Sequence, residues 1–373
     1  MREPTTPRSQ RLLPIDWTRG LVMILMAVDH ASGVLNRGRV TPGSRNLTAG
    51  ATSFPPDQFF LRWITHVCPV AFVFLAGCSI SMLARQKAAR GATRGEIGRF
   101  ITSRGLVILL IDIVWLNLLG GYENFRLDVL TAIGSAMMVL GLLRHLRRPA
   151  LAVLALGLIL TPELFGSGVL PAWAARILYE GGPASPSWFI QYPIAPWIGV
   201  MVVGFLWGEF VLDPSHDEAT ALIRLTHAAL RTLVPLFALF VALRAANGFG
   251  NAGAPRLDDS LQQWLNVSKN PPSLAFLGLE FAILGLFLAA FAWAQRQRYE
   301  FRALTVFGQT ALFFYMLHFY VLILAAMVTA TMGKLGIPGA LLGAALLVLA
   351  MYPLCRWYQG YKRRHDNWLT RYV

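Results

Sequence analysis

The chain is poor in cysteine, poor in charge and poorest in acid. Its 3 cysteines, Cys68, Cys78 and Cys355, fall inside apolar runs at no metal-ligand spacing, so neither a zinc site nor a disulfide framework is indicated. Charged residues make up 14% of the chain and hydrophobic ones 55%, with a mean hydropathy of +0.52. That balance excludes an ordinary soluble domain and fits a polytopic membrane protein. Also missing are a glycine-rich phosphate loop closed by Lys-Ser/Thr, a dinucleotide fingerprint and an HExxH helix. ATP hydrolysis therefore has no support. Residues 1–14 are polar and basic, without an apolar run and small-residue cleavage site, so no removable signal peptide is expected.

Against 19 acidic residues stand 33 Lys and Arg, a net charge of +14. The cations sit in short runs between apolar segments, which is a topology signal and not a nucleic-acid groove. Apolar segments recur about ten times, at residues 15–36, 59–83, 101–119, 129–143, 150–160, 192–212, 230–246, 273–294, 303–331 and 337–358. With a cytoplasmic N-terminus, most Lys and Arg fall in inside segments, as short loops require. The expectation is an all-α polytopic bundle of about ten transmembrane helices, both termini cytoplasmic. Residues 1–373 read as one integral-membrane domain with basic cytoplasmic tails at 1–14 and 359–373. There is no fixed-period repeat.

The chemistry in these spans is sparse. The first carries Asp16 and Arg19 at one end and Asp29 and His30 near the other. At ~1.5 Å per residue, His30 lies about 16 Å beyond Arg19, well inside a hydrocarbon core. Ionisable groups at that depth usually line a cavity or pathway, so His30 and Asp29 are the leading catalytic candidates. The plainer reading of His30 is a hydrogen-bonded packing residue. Adjacent helical residues project about 100° apart, so Asp29 is not expected to face His30; it would bind a neighbouring helix or an acceptor. His66, in WITHVCP, and His318, in FFYMLHFY with Tyr315 one turn before it, are candidates for a second polar group, or else structural. Asp112 and Glu280 are expected to be protonated or neutralised by an arginine from another helix.

The run 85–104 is strongly basic and leads into an apolar helix. Arg99 and Arg104 at its mouth could hold a phosphate-bearing cytosolic ligand, although composition alone favours contact with anionic lipid. Prolines 69, 193, 196, 235 and 353 and many glycines within spans imply kinked, closely packed helices around a cavity. Long outside loops at 37–58, 162–191 and 247–272 carry Trp173, Tyr179, Trp188, Trp264 and Asn266. They read either as a surface for a polar partner or as interfacial anchors.

Motifs along almost the whole chain carry a resemblance: RLLPIDWTRGLVMILMAVDH, WITHVCPVAFVFLAG, RFITSRGLVILLID, YPIAPWIGVMVVGFLWG, KNPPSLAFLGLE, FGQTALFFYMLHFY and YPLCRWYQGYKRRHDNWLTRYV. Together they resemble bacterial relatives of heparan-α-glucosaminide N-acetyltransferase. The first also resembles the first-helix signature of the wider superfamily of transmembrane acyltransferases that decorate surface polysaccharides. The resemblance implies an integral enzyme of the bacterial inner membrane that moves an acyl group, usually acetyl, from cytosolic acyl-CoA to a hydroxyl or amine of an extracytoplasmic glycan or lipid-linked sugar. No metal is implied. His30 takes the place of the catalytic histidine and Arg19 of its paired arginine; Arg99 and Arg104 would engage the CoA phosphates. His66, His318 and Lys269, the last in KNPPSLAFLGLE, are the substrate-binding candidates. The chain departs from the animal enzyme, which has asparagine at the place of His30 and its active histidine in the loop that follows. No histidine occurs here between His30 and His66.

The expected chemistry has His30 as general base in a ternary complex, with an acetyl-histidine intermediate as the alternative. Candidate partners are membrane lipid, acyl-CoA, the glycan acceptor and a second copy of the chain. The competing function is a proton-coupled transporter or flippase for a lipid-linked sugar or small anion, which an internal repeat would favour.

Overall fold

The computed structural model describes residues 12–41, 54–118, 125–165, 168–212 and 216–372; the expected N-terminal tail lies largely outside them. Helix α1 (Leu13–Leu35) begins with Pro14 in its first turn, where a missing N–H costs nothing, and Asp16 near the positive end of the helix dipole. It stops at Asn36, which bridges to Leu335. Helices α2 (Pro56–Trp63) and α3 (Val67–Ala89) follow, separated by a turn at 64–66. Next, α4 (Arg94–Leu110) starts from a capping box in which the Glu96 N–H donates to Thr93 Oγ1 at 3.3 Å and the Thr93 N–H to Glu96 Oε2 at 2.8 Å. Its far end widens into π-type turns over Ile111–Leu118.

Strand β1 (Phe125–Leu127) leads into α5 (Val129–Leu143), then α6 (Arg148–Leu164) and α7 (Ala172–Ala175). Strands β2 (Gly182–Ser185) and β3 (Trp188–Ile190) precede α8 (Ile194–Val211), α9 (Glu218–Ala246), α10 (Leu261–Leu265) and α11 (Leu274–Arg296). The chain closes with α12 (Arg302–Gln309), α13 (Ala311–Val328), α14 (Ile337–Arg364) and α15 (Trp368–Tyr372). The fold is nearly all-α. The exception is a small sheet that the hydropathy pattern does not announce, in which β3 pairs parallel with β1 and antiparallel with β2.

Among the described residues, 7 helical stretches are long and apolar enough to cross a membrane: α1, α2 with α3, α8, α9, α11, α13 and α14. Helix α5 is apolar but shorter. The apolar run 303–331 is not one helix. It breaks at Thr310, whose backbone (φ −120°, ψ 26°) leaves the helical region between α12 and α13. The break allows α12 to lie against the start of α1. A Cβ placed on Gly308 would fall 2.0 Å from the Asp16 carbonyl oxygen, so only glycine permits that approach. Between α3 and α8, Gly77 and Gly204 do the same: a Cβ placed on either would fall 2.2 Å from a backbone oxygen of the facing helix.

Helices α1, α3, α8 and α11 are mostly buried, with Trp17, Val73, Met201 and Phe276 closed from solvent. Helices α9, α13 and α14 turn apolar side chains outward, among them Val234, Val328 and Leu349, as lipid-facing helices must. Cys68, Cys78 and Cys355 are buried with free thiols. Among the described residues no arginine pairs with Asp112. Its Oδ2 accepts the N–H groups of Asp128 and Thr131, each at 3.0 Å, and the Thr131 hydroxyl at 2.5 Å. A carboxylate from α4's π-turns thus caps α5, doing what Asp128 at the cap position does not. Glu280 is also buried without an arginine partner among the described residues, and one of its carboxylate oxygens accepts no hydrogen bond.

Candidate active site

One face of α1 organises the site. Leu12, Ile15, Arg19 and Met23 line an inner cavity of about 650 Å³, and Met26, His30 and Val34 an outer one of about 420 Å³. Steps of three and four keep these side chains on one stripe. From Leu12 to Val34 the stripe runs about 33 Å at ~1.5 Å per residue, the thickness of a bilayer core.

The inner cavity is cationic at its mouth. Arg19 donates to Ser79 Oγ at 2.8 Å, to the Gly308 carbonyl at 3.3 Å and to the Leu75 carbonyl at 3.4 Å, with Asp16 at 3.6 Å. Arg104 and Lys362 line the same cavity. Arg99 does not: it is exposed, and five residues on a helix turn it about 140° from Arg104. A further recess of about 460 Å³ shares Leu83 and Gln86 with the inner cavity and is lined by Lys87, Arg90, Phe100 and Asp366. Lys87 Nζ sits 4.1 Å over the Phe100 ring.

In the outer cavity two histidines meet. His30 Nδ1 lies 2.6 Å from His318 Nε2, with the rings 21° from parallel. The other nitrogen of His318, Nδ1, faces the carbonyls of Phe314 at 3.0 Å and Tyr315 at 2.7 Å. Carbonyls only accept, so His318 Nδ1 carries a proton and, in the neutral ring, Nε2 is an acceptor. His30 Nδ1 must then donate to it. The lone pair left on a neutral His30 is at Nε2, which has no hydrogen-bond partner among the described residues. A histidine held in one tautomer with its far nitrogen towards a cavity can accept a proton there.

Asp29 is turned away to a different set of partners. Its Oδ1 accepts from Arg62 Nη1 at 2.5 Å, Arg39 Nη2 at 3.2 Å and Thr65 Oγ1 at 3.3 Å. Arg39 also donates to the Asp29 carbonyl. The adjacency in sequence produces no carboxylate–imidazole pair, as the 100° step requires.

Lys269, 4% exposed, lines the outer cavity with Arg126, Gln191 and Tyr192. Burial, reinforced by the Arg62 charge, pushes its ammonium down to about 7, against the pull of Asp29. His66 is fully buried at the start of α3, edge-on to Phe276 with centroids 6.2 Å apart, and lines neither cavity. Arg39 and Arg62 escaped the sequence reading. Arg62 left a trace there as a lone cation in the apolar run QFFLRWITHV; Arg39 is one of several cations in a long loop.

The profile of the family described as heparan-alpha-glucosaminide N-acetyltransferase, catalytic, matches residues 11–241, more than half of the chain. The chain belongs to the heparan-alpha-glucosaminide N-acetyltransferase family. The matched region contains α1 to α8 and most of α9, and with them His30, Arg19 and both arginines of Asp29. His318 and Lys269 lie beyond it. No curated protein matches the chain significantly. As a member of this acetyltransferase family the chain is an integral membrane protein.

Proposed function

We propose that this protein is a transmembrane acetyltransferase that takes an acetyl group from cytosolic acetyl-CoA and delivers it to a hydroxyl or amine of an extracytoplasmic glycan or glycolipid. It does so from the bacterial inner membrane, as one domain with about ten crossings and both ends in the cytoplasm. The His30–His318 pair carries this reading. It lies in a cavity beyond the cationic one, on the same helix stripe, so a donor held by Arg19 and Arg104 and an acceptor near Lys269 can converge on one imidazole.

His30 Nε2 takes the proton of the acceptor hydroxyl or amine as its oxygen or nitrogen attacks the thioester carbonyl carbon. The C–S bond breaks, and the proton passes from His30 to the departing CoA sulfur. His318 accepts the His30 Nδ1–H throughout and steadies the imidazolium that forms between the two transfers. Asp29 acts as a positioning residue, fixing Arg39 and Arg62 at the cavity wall. The CoA phosphates meet Arg19 and Arg104, with Arg99 outside on the cytoplasmic face.

The deciding experiment offers labelled acetyl-CoA to the cytoplasmic face of inverted membrane vesicles containing the protein. Label is expected in the lumenal glycan fraction with the native chain and not with His30→Ala at equal protein level. Equal labelling by both would overturn the assignment.

A further inference from the structure

Three side chains line both cavities: Phe72 from α3, Val129 from α5 and Tyr315 from α13. Every other residue that lines these two cavities lines one or the other. On α1 the changeover falls between Met23 and Met26, one helical turn before His30. On α3, Phe72 lies between Pro69 on the outer side and Ala76 on the inner side. On α5, Asp128 lines the outer cavity and Leu130 the inner. Four helices thus agree on the level at which the passage changes hands; the three shared side chains are uncharged, and Asp128 stands one residue to the outer side.

We propose that Phe72, Val129 and Tyr315 form a collar that sets the length of the acyl group this protein transfers. The inference rests on the acyl-CoA reading above and adds a specificity element to it. The cations lie below the collar, at Arg19 and Arg104, and the His30–His318 pair lies above it. The anionic part of a donor stays with the cations, while the uncharged thioester end rises through an apolar ring. As the acceptor bonds to the acyl carbon and the C–S bond breaks, only the acyl group crosses to the outer side. Just beyond the ring, His318 and Phe319 follow Tyr315 on α13 and crowd His30, with His30–Phe319 centroids 5.8 Å apart. An acetyl group carries a single methyl past the ring, whereas each added methylene of a longer acyl group needs further room among the collar and ring atoms. Tyr315 also ties the collar to the chemistry, since its carbonyl holds His318 Nδ1 at 2.7 Å.

The test gives the same inverted vesicles acetyl-, propionyl-, butyryl- and hexanoyl-CoA and measures kcat/KM for each. The native chain should lose about tenfold or more per added methylene, the usual range for one methylene in a fitted pocket. Phe72→Ala and Val129→Ala should raise the butyryl-to-acetyl ratio at least tenfold, and Val129→Leu should lower the propionyl-to-acetyl ratio. A merely structural role would lower all rates together and leave these ratios fixed. If Phe72→Ala does not accumulate, the two Val129 variants, which change little volume, decide alone. Active variants with unchanged ratios would overturn the collar and leave the donor reading standing. A native chain that transfers from none of the four would overturn the donor reading, and the collar with it.

Discussion

His30 and His318, 288 positions apart in sequence, share one hydrogen bond of 2.6 Å between Nδ1 and Nε2. Because two backbone carbonyls hold the far side of His318, the bond has a direction, and it fixes which nitrogen of His30 faces the cavity. Removing the partner should therefore cost more than a contact. His318→Ala is expected to lower kcat for acetyl transfer by about 10²–10⁴, the range for a mispositioned general base, with little change in KM for acetyl-CoA. A single-turnover reaction without acceptor adds the second readout. Label retained on His30 would indicate an acetyl-imidazole route, whereas none, in an active preparation, indicates direct transfer.

Among the described residues, Asp29 provides the only carboxylate that Arg39 and Arg62 share. Arg62→Ala leaves a half-paired buried charge and should destabilise the fold by about 3 kcal/mol. A double-mutant cycle with Asp29→Asn, followed by thermal unfolding in detergent, is expected to return a coupling on the order of 1 kcal/mol or more. Additive effects would mean the ion pair is not formed.

Arg104 and Arg99 share a helix but not a surface. Arg104→Ala should weaken acetyl-CoA binding about tenfold or more at low salt, and less at high salt, whereas Arg99→Ala should leave affinity within about twofold. Isothermal titration at two salt concentrations separates them. Equal losses would mean the donor binds outside the inner cavity.

Lys269 makes stability depend on pH. Its ammonium falls from an ordinary 10.5 to about 7 in the folded chain, chiefly by burial. Between those values the unfolded chain binds the proton and the folded chain does not, so the Lys269 contribution to stability rises with pH across that window and is flat below it. Lys269→Met removes the dependence. The difference in melting temperature between variant and native chain should be widest near or below pH 7 and narrow towards pH 10; a constant difference would contradict the burial argument.

Hydropathy located most of the spans because burial in lipid is a residue-by-residue demand. It misjudged 303–331, where the apolar run continues but Thr310 breaks the helix so that Gly308 can approach Asp16. For Asp112 it gave no sign that three donors at the start of α5 reach Oδ2, because those contacts join residues 16 to 19 positions apart. Spacing alone made Arg99 and Arg104 look equivalent. His66 looked as promising as His318, since both are lone histidines in apolar runs. One packs against Phe276 and the other against His30.

By itself, the chain's order of residues determined that this is a membrane protein, that α1 carries an imidazole within its apolar span, and that its neighbour Asp29 points elsewhere. Those are consequences of hydropathy and of the 3.6-residue turn, both local. Tertiary structure alone decided what His30 touches, which arginine meets the cavity and where two cavities abut. Each depends on which helices pack together, and that is settled by close approaches such as Gly308 to Asp16 and Gly77 to Gly204, which no local pattern encodes.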